Sequence, residues 1–211
     1  MSRTAKYDSQ AAGWSEAAYA DAGSYLRRRA ELVRSLGPPL VPGDRVLDLA
    51  CGDAGLAEPL LSYGLHYLGV DLSQAMVEAA QSRVGGRAEI VHADLNEFRP
   101  PLPVAATTCF RAIYYARDRL AFFRRVAAFT EKKLVFDLNP RQYRLADVRD
   151  DLRAAGFDQL AVRPFFYPQR VALPSPVAAV FRLAERAPPL ARLVLSLRFS
   201  YLCAAWNEKP T

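Results

Sequence analysis

Short apolar runs alternate with stretches of helical spacing from Arg45 onward, and this alternation limits the fold more than any other feature of the chain. Strands are predicted at 46–50, 67–70, 88–92, 105–110, 133–137 and 159–162. Helices are predicted between most of them, at 73–84, 118–130 and 145–155. Strands that are apolar along nearly their whole length, and are joined by helices, indicate a buried parallel sheet with helices on both faces. The sequence therefore predicts a doubly wound α/β domain.

Charge and cysteine content argue against several classes of protein. The net charge is +6, but the basic residues are scattered, whereas nucleic-acid binding requires a clustered basic stripe with interleaved aromatic residues. Cys51, Cys109 and Cys203 stand far apart, no CxxC occurs and the chain has only two histidines, so we expect reduced thiols and no bound metal. We also expect neither a secretory signal nor a membrane-spanning stretch of about 20 apolar residues. These features favour a cytoplasmic location.

Three acidic residues follow three successive predicted strands. Asp48 stands near the end of the first strand, Asp71 ends the second, and Asp94 follows the third. In an open α/β sheet, ligands bind outside the carboxyl ends of the strands. A carboxylate at the place of Asp71 can accept both hydroxyl hydrogens of a ribose, and Asp94 can accept from an adenine amino group while Leu95 packs on the ring. The predicted ligand is an adenosine with a further group attached.

The turn after the first strand is rich in small residues. Gly52 and Gly55 bracket it, and a missing Cβ lets the backbone approach a ligand closely. Asp53, between them, can bind the ligand region or simply cap the helix that follows. Asp48 is harder to explain as a structural residue, because an unpaired buried carboxylate is costly.

Three motifs in this part of the chain resemble those of the class I S-adenosylmethionine-dependent methyltransferase family. Residues 46–54, Val-Leu-Asp-Leu-Ala-Cys-Gly-Asp-Ala, match hydrophobic-Leu-Asp-hydrophobic-Gly/Ala-Cys-Gly-x-Gly except at the last glycine, where Ala54 stands. Gly69-Val70-Asp71-Leu72-Ser73 matches the second motif and Ala93-Asp94-Leu95 the third. The resemblance implies S-adenosylmethionine as cofactor, with these binding residues: Asp48, Ala50, Gly52, Asp71, Leu72, Met76, Asp94, Leu95 and Phe110.

The same resemblance implies the architecture of the whole chain. It indicates a Rossmann-like, mostly parallel seven-stranded sheet with an antiparallel last strand, which fits the apolar run at 199–206, and an N-terminal helical cover. The first 36 residues have helical spacing, and Gly37-Pro38-Pro39 ends it because proline cannot continue a helix. We expect a single domain over 1–211, divided into a cover at 1–40, a cofactor-binding core at 41–170, an apolar helical insertion at 171–198 and the last strand at 199–208.

The reaction that the resemblance implies is in-line methyl transfer, in which the protein mainly supplies proximity and alignment. Tyr114 and Tyr115 are the candidate catalytic residues, although an acceptor that loses no proton needs no base. Asn139-Pro140 is not followed by a second proline, so the signature of nucleic-acid amino methyltransferases is absent. Candidate substrate-binding residues are Tyr7, Trp14, Tyr19, Arg111, Asn139 and Arg141. The first three of these can also face a sulfonium through cation–π contact.

The insertion at 171–198 suggests the kind of acceptor. It is rich in Leu, Val, Ala and Phe and carries four arginines, which fits either a cover over an oily substrate or peripheral contact with a membrane. A helical pair that packs on the sheet edge or in a dimer would have the same composition. We expect a small-molecule substrate with a hydrophobic body, such as a lipid, quinone or natural product, and a monomer or homodimer.

Two other functions fit parts of the same pattern. A nicotinamide-dependent oxidoreductase shares the glycine turn, but Ala50 replaces the first glycine of its G-x-G-x-x-G fingerprint, and Asp48 and Asp53 would repel a pyrophosphate. The other alternative is a non-catalytic subunit that binds S-adenosylmethionine, since intact binding residues do not prove turnover.

Overall fold

A seven-stranded sheet organises the computed structural model, which describes residues 11, 13–166, 170–172, 174–185 and 200–208. The strands are β1 (Arg45–Leu49), β2 (His66–Asp71), β3 (Glu89–His92), β4 (Val104–Cys109), β5 (Thr130–Leu138), β6 (Gln159–Phe165) and β7 (Ser200–Trp206). The helices are α1 (Trp14–Ala18), α2 (Ala22–Ser35), α3 (Ala57–Leu61), α4 (Gln74–Val84), α5 (Arg119–Ala127), α6 (Leu145–Ala155) and α7 (Ser175–Ala184), and one 3₁₀ turn covers Ile113–Tyr115.

The strand order is β3-β2-β1-β4-β5-β7-β6. Strands β1 to β5 are parallel to one another, and β7 lies antiparallel between β5 and β6. The predicted doubly wound sheet with an antiparallel last strand is therefore confirmed. All six strands predicted between residues 45 and 165 are present; β5 begins three residues earlier than expected, at Thr130, because it pairs with Val104 before a register shift.

Side chains along the strands alternate between two apolar cores. Val46 of β1 faces the core that contains α2, whereas Leu47 and Leu49 face the core that contains α5 and α6. Successive residues of a strand point to opposite faces, so strands buried on both faces have to be apolar throughout. This explains why the runs in the sequence are continuous rather than alternating.

Local signals set helix boundaries close to those that the sequence predicts, although α5 ends at Ala127 and not at residue 130. Ser73 caps α4 by accepting a hydrogen bond from the backbone N–H of Met76 at 3.2 Å, and Asp118 caps α5 by accepting from Ala121 at 2.8 Å. Helix α6 ends at Gly156, whose φ of +103° suits glycine. These caps fix the loops that leave the carboxyl ends of the strands.

The last helix, α7, carries part of the predicted apolar insertion. Val177, Val180 and Leu183 on α7 are exposed. A buried ion pair between Arg28 and Glu185 ties the end of this helix to α2. The predicted helix at 190–197 lies outside the described residues. Among the described residues no helix combines the length and apolar composition needed to cross a membrane.

Candidate functional site

A cavity of about 250 Å³ opens at the carboxyl ends of β1 to β4. The loops that follow these four strands form most of its wall, and α1 and α2 of the N-terminal cover close it from one side. The structure places all of the residues predicted to bind the cofactor in this wall: Asp48, Ala50, Gly52, Asp71, Leu72, Met76, Asp94, Leu95 and Phe110. The fold thus brings the three motifs together at one edge of the sheet, as the sequence predicts.

Five of the residues predicted on the catalytic or substrate side also line the cavity: Trp14, Tyr19, Arg111, Tyr114 and Tyr115. Asn139 and Arg141 do not line it, contrary to expectation; both are exposed. The loop after β5 closes on itself, because the Asn139 side chain accepts a hydrogen bond from the Arg141 backbone N–H at 3.0 Å. Tyr7 lies outside the described residues.

Asp71 ends β2 and is held by two backbone amides. The N–H of Gly52 donates to Oδ2 at 2.8 Å, and the N–H of Ser73 donates to Oδ1 at 2.9 Å. Burial raises the pKa of Asp71, although these donors oppose the shift. Each oxygen keeps a second lone pair that can accept from a ligand. Asp71 is thus held in one orientation and can still bind two hydroxyl groups.

Asp94 follows β3 in a more open setting. Asn96 donates to Oδ1 from its backbone N–H and from its side chain, both at 2.8 Å, and Arg117 pairs with Oδ2 at 2.7 Å. Partial burial opposes ionisation, but the Asn96 hydrogen bonds and the Arg117 cation outweigh it and lower the pKa of Asp94. Asp94 is therefore a charged acceptor at neutral pH, and Asn96, which the sequence reasoning missed, orients it.

Asp48 is buried beneath the cavity, with 3% of its surface exposed. The hydroxyl groups of Tyr67 and Thr108 donate to its two oxygens at 2.7 and 2.6 Å. Burial nevertheless raises the pKa of Asp48 to about 6. The two hydroxyl partners account for a carboxylate that has no evident partner in the sequence.

Asp53 binds the cover instead of capping the next helix. It accepts from the Ser15 backbone N–H at 2.9 Å and from the Ser15 hydroxyl at 2.6 Å, and it pairs with Arg83 at 2.8 Å. The helix α3 that follows has no side-chain cap. The capping alternative is therefore wrong, and Asp53 fixes α1 against the turn after β1.

The glycine turn after β1 has two separate structural requirements. Ala54, which stands where the family motif has its last glycine, adopts a left-handed φ of +54°. Gly55 has another reason to be glycine, since a Cβ there would lie 2.3 Å from the Ser15 hydroxyl. Gly55 thus permits close packing of the cover, and it also lines the cavity.

Two arginines and several rings form the side of the cavity near β4 and β5. Arg29 on α2 is buried under the ring of Phe110, with 4.3 Å from its guanidinium carbon to the ring centroid. Arg111 lies 5.9 Å from the rings of both Trp14 and Tyr19. The sequence reasoning missed Arg29. Its position in the sequence could have revealed it, because Arg29 lies on the apolar stripe of α2 between Leu26 and the pair Leu32 and Val33.

Neither histidine of the chain lines the cavity, and within the described residues no group of three His, Cys, Asp or Glu side chains is placed to hold a metal ion. Burial raises the pKa of the Cys51 thiol well above its usual range, so Cys51 is not a ready nucleophile at neutral pH. The charged and polar groups of the site are carboxylates, guanidiniums and phenols. This donor set suits an adenosine ligand and an organic acceptor.

Comparison with known proteins agrees with this geometry. Residues 46–133 match the family model described as "Methyltransferase domain". Part of the chain is 37% identical over 71 residues to the demethylmenaquinone methyltransferase of Clavibacter sepedonicus; the match spans 33% of this chain and 28% of that protein. Residues 46–133 thus match a methyltransferase domain, and the chain is similar to S-adenosylmethionine-dependent methyltransferases over this part.

Two solved structures show how far this methyltransferase fold extends along the chain. A Haloferax volcanii methyltransferase in complex with the Trm112 methyltransferase activator is 19% identical and matches 97% of this chain and 98% of its own, with a TM-score of 0.67. Phosphoethanolamine N-methyltransferase 2 of Haemonchus contortus, in complex with S-adenosyl-L-methionine, is also 19% identical; the match covers 98% of this chain and 59% of that one, with a TM-score of 0.67. At this identity the likeness shows the fold.

Proposed function

We propose that this methyltransferase binds S-adenosylmethionine in the cavity and transfers its methyl group to a small molecule with an aromatic or apolar body. The observation that carries the proposal is the opening of Asp48, Asp71 and Asp94, from three neighbouring strands, into one cavity. Their spacing along the sheet edge suits an adenosine that continues into a charged tail. Asp71 would accept the ribose hydroxyls, and Asp94 would accept from the adenine amino group.

The cofactor fits here because these carboxylates can accept further hydrogen bonds and because apolar residues lie beside them. Met76 and Leu95 are buried in the cavity wall and can pack on the two faces of an adenine ring. Asp48 and Asp53 add negative charge near the turn after β1, which suits a cationic sulfonium and ammonium better than a pyrophosphate. The cofactor, when bound, supplies an electrophilic methyl group together with its thioether leaving group.

The protein's own residues would mainly orient the acceptor and exclude water. Trp14 and Tyr19 cover the cavity from the N-terminal side. Tyr114 and Tyr115, whose ring centroids are 4.4 Å apart, stand at the opposite wall. Their hydroxyl groups can accept a hydrogen bond from an acceptor that carries a proton on its nucleophile, and an acceptor with a free lone pair needs no base.

The aromatic lining supports a flat or apolar acceptor. The Clavibacter sepedonicus relative is named for demethylmenaquinone, which supports a quinone or another lipid-like acceptor within the class. Val177, Val180 and Leu183 of α7 are exposed but do not line the cavity, so their part in the proposal is contact with a membrane surface or with a second copy of the chain. We place the protein in the cytoplasm, as a monomer or homodimer; buried free thiols at Cys109 and Cys203 support a reducing compartment.

Calorimetry tests the cofactor. We expect saturable binding of S-adenosylmethionine and S-adenosylhomocysteine and no binding of NAD. Binding of NAD without S-adenosylhomocysteine would contradict the proposal. Incubation of a cell extract with methyl-labelled S-adenosylmethionine then tests the reaction, and we expect the label in a small organic molecule. Tight S-adenosylhomocysteine binding without labelling of any metabolite would instead favour the non-catalytic subunit.

A further inference from the structure

We propose that the methyl acceptor carries a carboxylate, which pairs with Arg111 and Arg29 at the β4–β5 end of the cavity. The inference rests on the proposed function and narrows its substrate class to acceptors with an apolar body and an acidic group. The contacts of the two guanidinium groups support this inference.

Arg29 is a buried cation, and only some of its guanidinium N–H groups have hydrogen-bond partners among the described residues. It is 3% exposed and lines the cavity. One terminal nitrogen donates to the Tyr25 hydroxyl at 2.7 Å and lies 3.5 Å from Oδ2 of Asp137. Its Nε is buried and has no hydrogen-bond partner in the described part of the chain. The ring centroids of Tyr25 and Phe110 lie 4.8 and 4.3 Å from the guanidinium carbon.

Among the described residues Arg111 makes no ion pair, and its backbone holds it in place. Its φ of +52° lies in the left-handed region, which a residue other than glycine rarely adopts. The backbone N–H of Arg111 donates to Oδ1 of Asp137 at 2.6 Å, and this contact stabilises the turn. The guanidinium lies 5.9 Å from the rings of both Trp14 and Tyr19. It hydrogen-bonds the Tyr19 side chain, but its buried Nη1 has no hydrogen-bond partner among the described residues.

The two cations therefore share Asp137 as their neighbouring carboxylate. Asp137 meets Arg29 through its side chain but meets Arg111 only through the backbone amide. Asp48 also lies near Arg29, but the oxygens of Asp48 accept from Tyr67 and Thr108. Folded proteins pair buried charges because an unpaired one is costly. A carboxylate on the ligand would pair with the two guanidinium groups. The planar guanidinium presents N–H groups whose arrangement matches the two oxygens of a carboxylate.

The position along the sheet assigns that carboxylate to the acceptor. Asp71 and Asp94 hold the adenosine at the β2–β3 end, and Asp48 lies between this end and β4. Arg111 follows β4, and its amide is anchored to Asp137 in β5. The arginine pair thus lies at the opposite end of the sheet edge from the two carboxylates that would hold the adenosine, and an acceptor would bind there.

The test uses benzoate and its neutral analogue benzamide as probes, titrated into the protein with and without S-adenosylhomocysteine. We expect wild-type protein to bind benzoate at least tenfold more tightly than benzamide. Arg111→Gln should abolish this preference, and Arg111→Lys, which keeps the charge but loses the fork, should keep part of it. Arg34→Gln is the matched control, because Arg34 also lies over a ring, that of Tyr63, but outside the cavity.

A second titration separates the acceptor from the cofactor's own carboxylate. S-adenosylhomocysteine carries an amino-acid tail, whereas 5′-methylthioadenosine does not. We expect Arg111→Gln to change the affinity for either compound by less than threefold. A loss of tenfold or more for S-adenosylhomocysteine, with 5′-methylthioadenosine unchanged, would show that Arg111 binds the cofactor, and would overturn the proposal.

Equal affinity of the wild type for benzoate and benzamide would also overturn it. The melting temperature of Arg111→Gln should equal or exceed that of the wild type, since the substitution removes a cation whose buried Nη1 has no hydrogen-bond partner among the described residues; if the variant fails to fold, Arg111→Lys carries the test. Failure of the wild type to bind S-adenosylhomocysteine would contradict the proposed function itself. The benzoate preference measured without it would still decide for or against the arginine pair.

Discussion

The two ends of the cavity satisfy their charged groups in different ways. At the β2–β3 end, Asp71 and Asp94 accept hydrogen bonds from residues in their own loops, Ser73 and Asn96. At the β4–β5 end, Arg29 comes from the cover and meets a carboxylate far along the chain. The β2–β3 end, where we propose that the cofactor binds (the cofactor end), is thus built largely from local turns. The β4–β5 end, where we propose that the acceptor binds, exists only when distant segments pack together. Local turns can be recognised as motifs in a sequence, but distant contacts cannot.

The largest effect should follow from removal of Asp71, the central residue of the cofactor end. Asp71→Ala should weaken S-adenosylhomocysteine binding by about 2–4 kcal/mol, because two charge-assisted hydrogen bonds are lost. Calorimetry measures the change, and Asp147→Ala, an exposed aspartate on α6, is the control. Unchanged affinity in Asp71→Ala would show that the adenosine does not lie at this end.

A substitution of Asp48 tests how much its buried carboxylate, which lies between the two ends of the cavity, lowers the stability of the fold. Its folded pKa of about 6 exceeds the ordinary value of 3.8, so this residue adds stability as the pH falls through 6 towards 4 and loses that contribution as the pH rises through 6. Asp48→Asn should remove this dependence. Relative to the wild type, its unfolding free energy should rise between pH 4 and pH 8 by up to about 3 kcal/mol, at 1.36 kcal/mol for each pKa unit.

Urea denaturation at both pH values measures this difference. Asp147→Asn should show no such pH-dependent gain. If Asp48→Asn and the wild type keep the same stability difference at pH 4 and pH 8, the Tyr67 and Thr108 hydroxyls fully compensate for burial. The ionised carboxylate of Asp48 would then not lower the stability of the folded protein.

Gly55 tests whether the cover depends on close packing at the cofactor end. Gly55→Ala would place a Cβ 2.3 Å from the Ser15 hydroxyl and should displace α1, at a cost of roughly 1–3 kcal/mol for overpacking. Thermal denaturation and hydrogen exchange at α1 measure the effect. Gly23→Ala is the matched control, because its nearest neighbour is the flexible Arg27 side chain at 3.3 Å. Equal stability of the two variants would mean that the cover adjusts freely.

The smallest effect should come from the turn itself. Ala54→Gly relieves a left-handed φ of +54° but adds backbone freedom to the unfolded chain, so the two contributions, each about 1 kcal/mol, should nearly cancel. Ala57→Gly in α3, which relieves no strain, should cost about 1 kcal/mol more. Denaturation of both variants checks the difference, and equal costs would show that Ala54 carries no strain.

The strands and the positions of the carboxylates at the β2–β3 end were predictable because local chemistry determines them. Ser73 and Asp118 begin their helices and Gly156 ends its helix through contacts within a few residues, and the position of Asp71 follows from the end of its strand. Asn139 illustrates the limit: it follows β5 as a substrate residue would, but it closes a turn with Arg141.

Other parts of the site could not be predicted because they depend on packing between distant segments. The contact of Asp53 with Ser15 requires α1 to lie over the turn after β1, and the contact of Arg29 with Asp137 requires α2 to lie over β5. The spacing of residues within a motif contains no information on either contact. The apolar residues around Arg29 on α2 are a signal in the sequence, but the sequence reasoning did not use it.

The insertion of β7 between β5 and β6 has a consequence for the order in which the protein can form during synthesis. Strands β1 to β4, with Asp48, Asp71 and Asp94, can associate as soon as they have left the ribosome. Strand β5 keeps one unpaired edge until residues 200–206 are made, and this edge includes the buried apolar residues Leu134 and Phe136. The nascent chain therefore exposes an aggregation-prone strand edge beside Asp137 after the half with Asp48, Asp71 and Asp94 is complete.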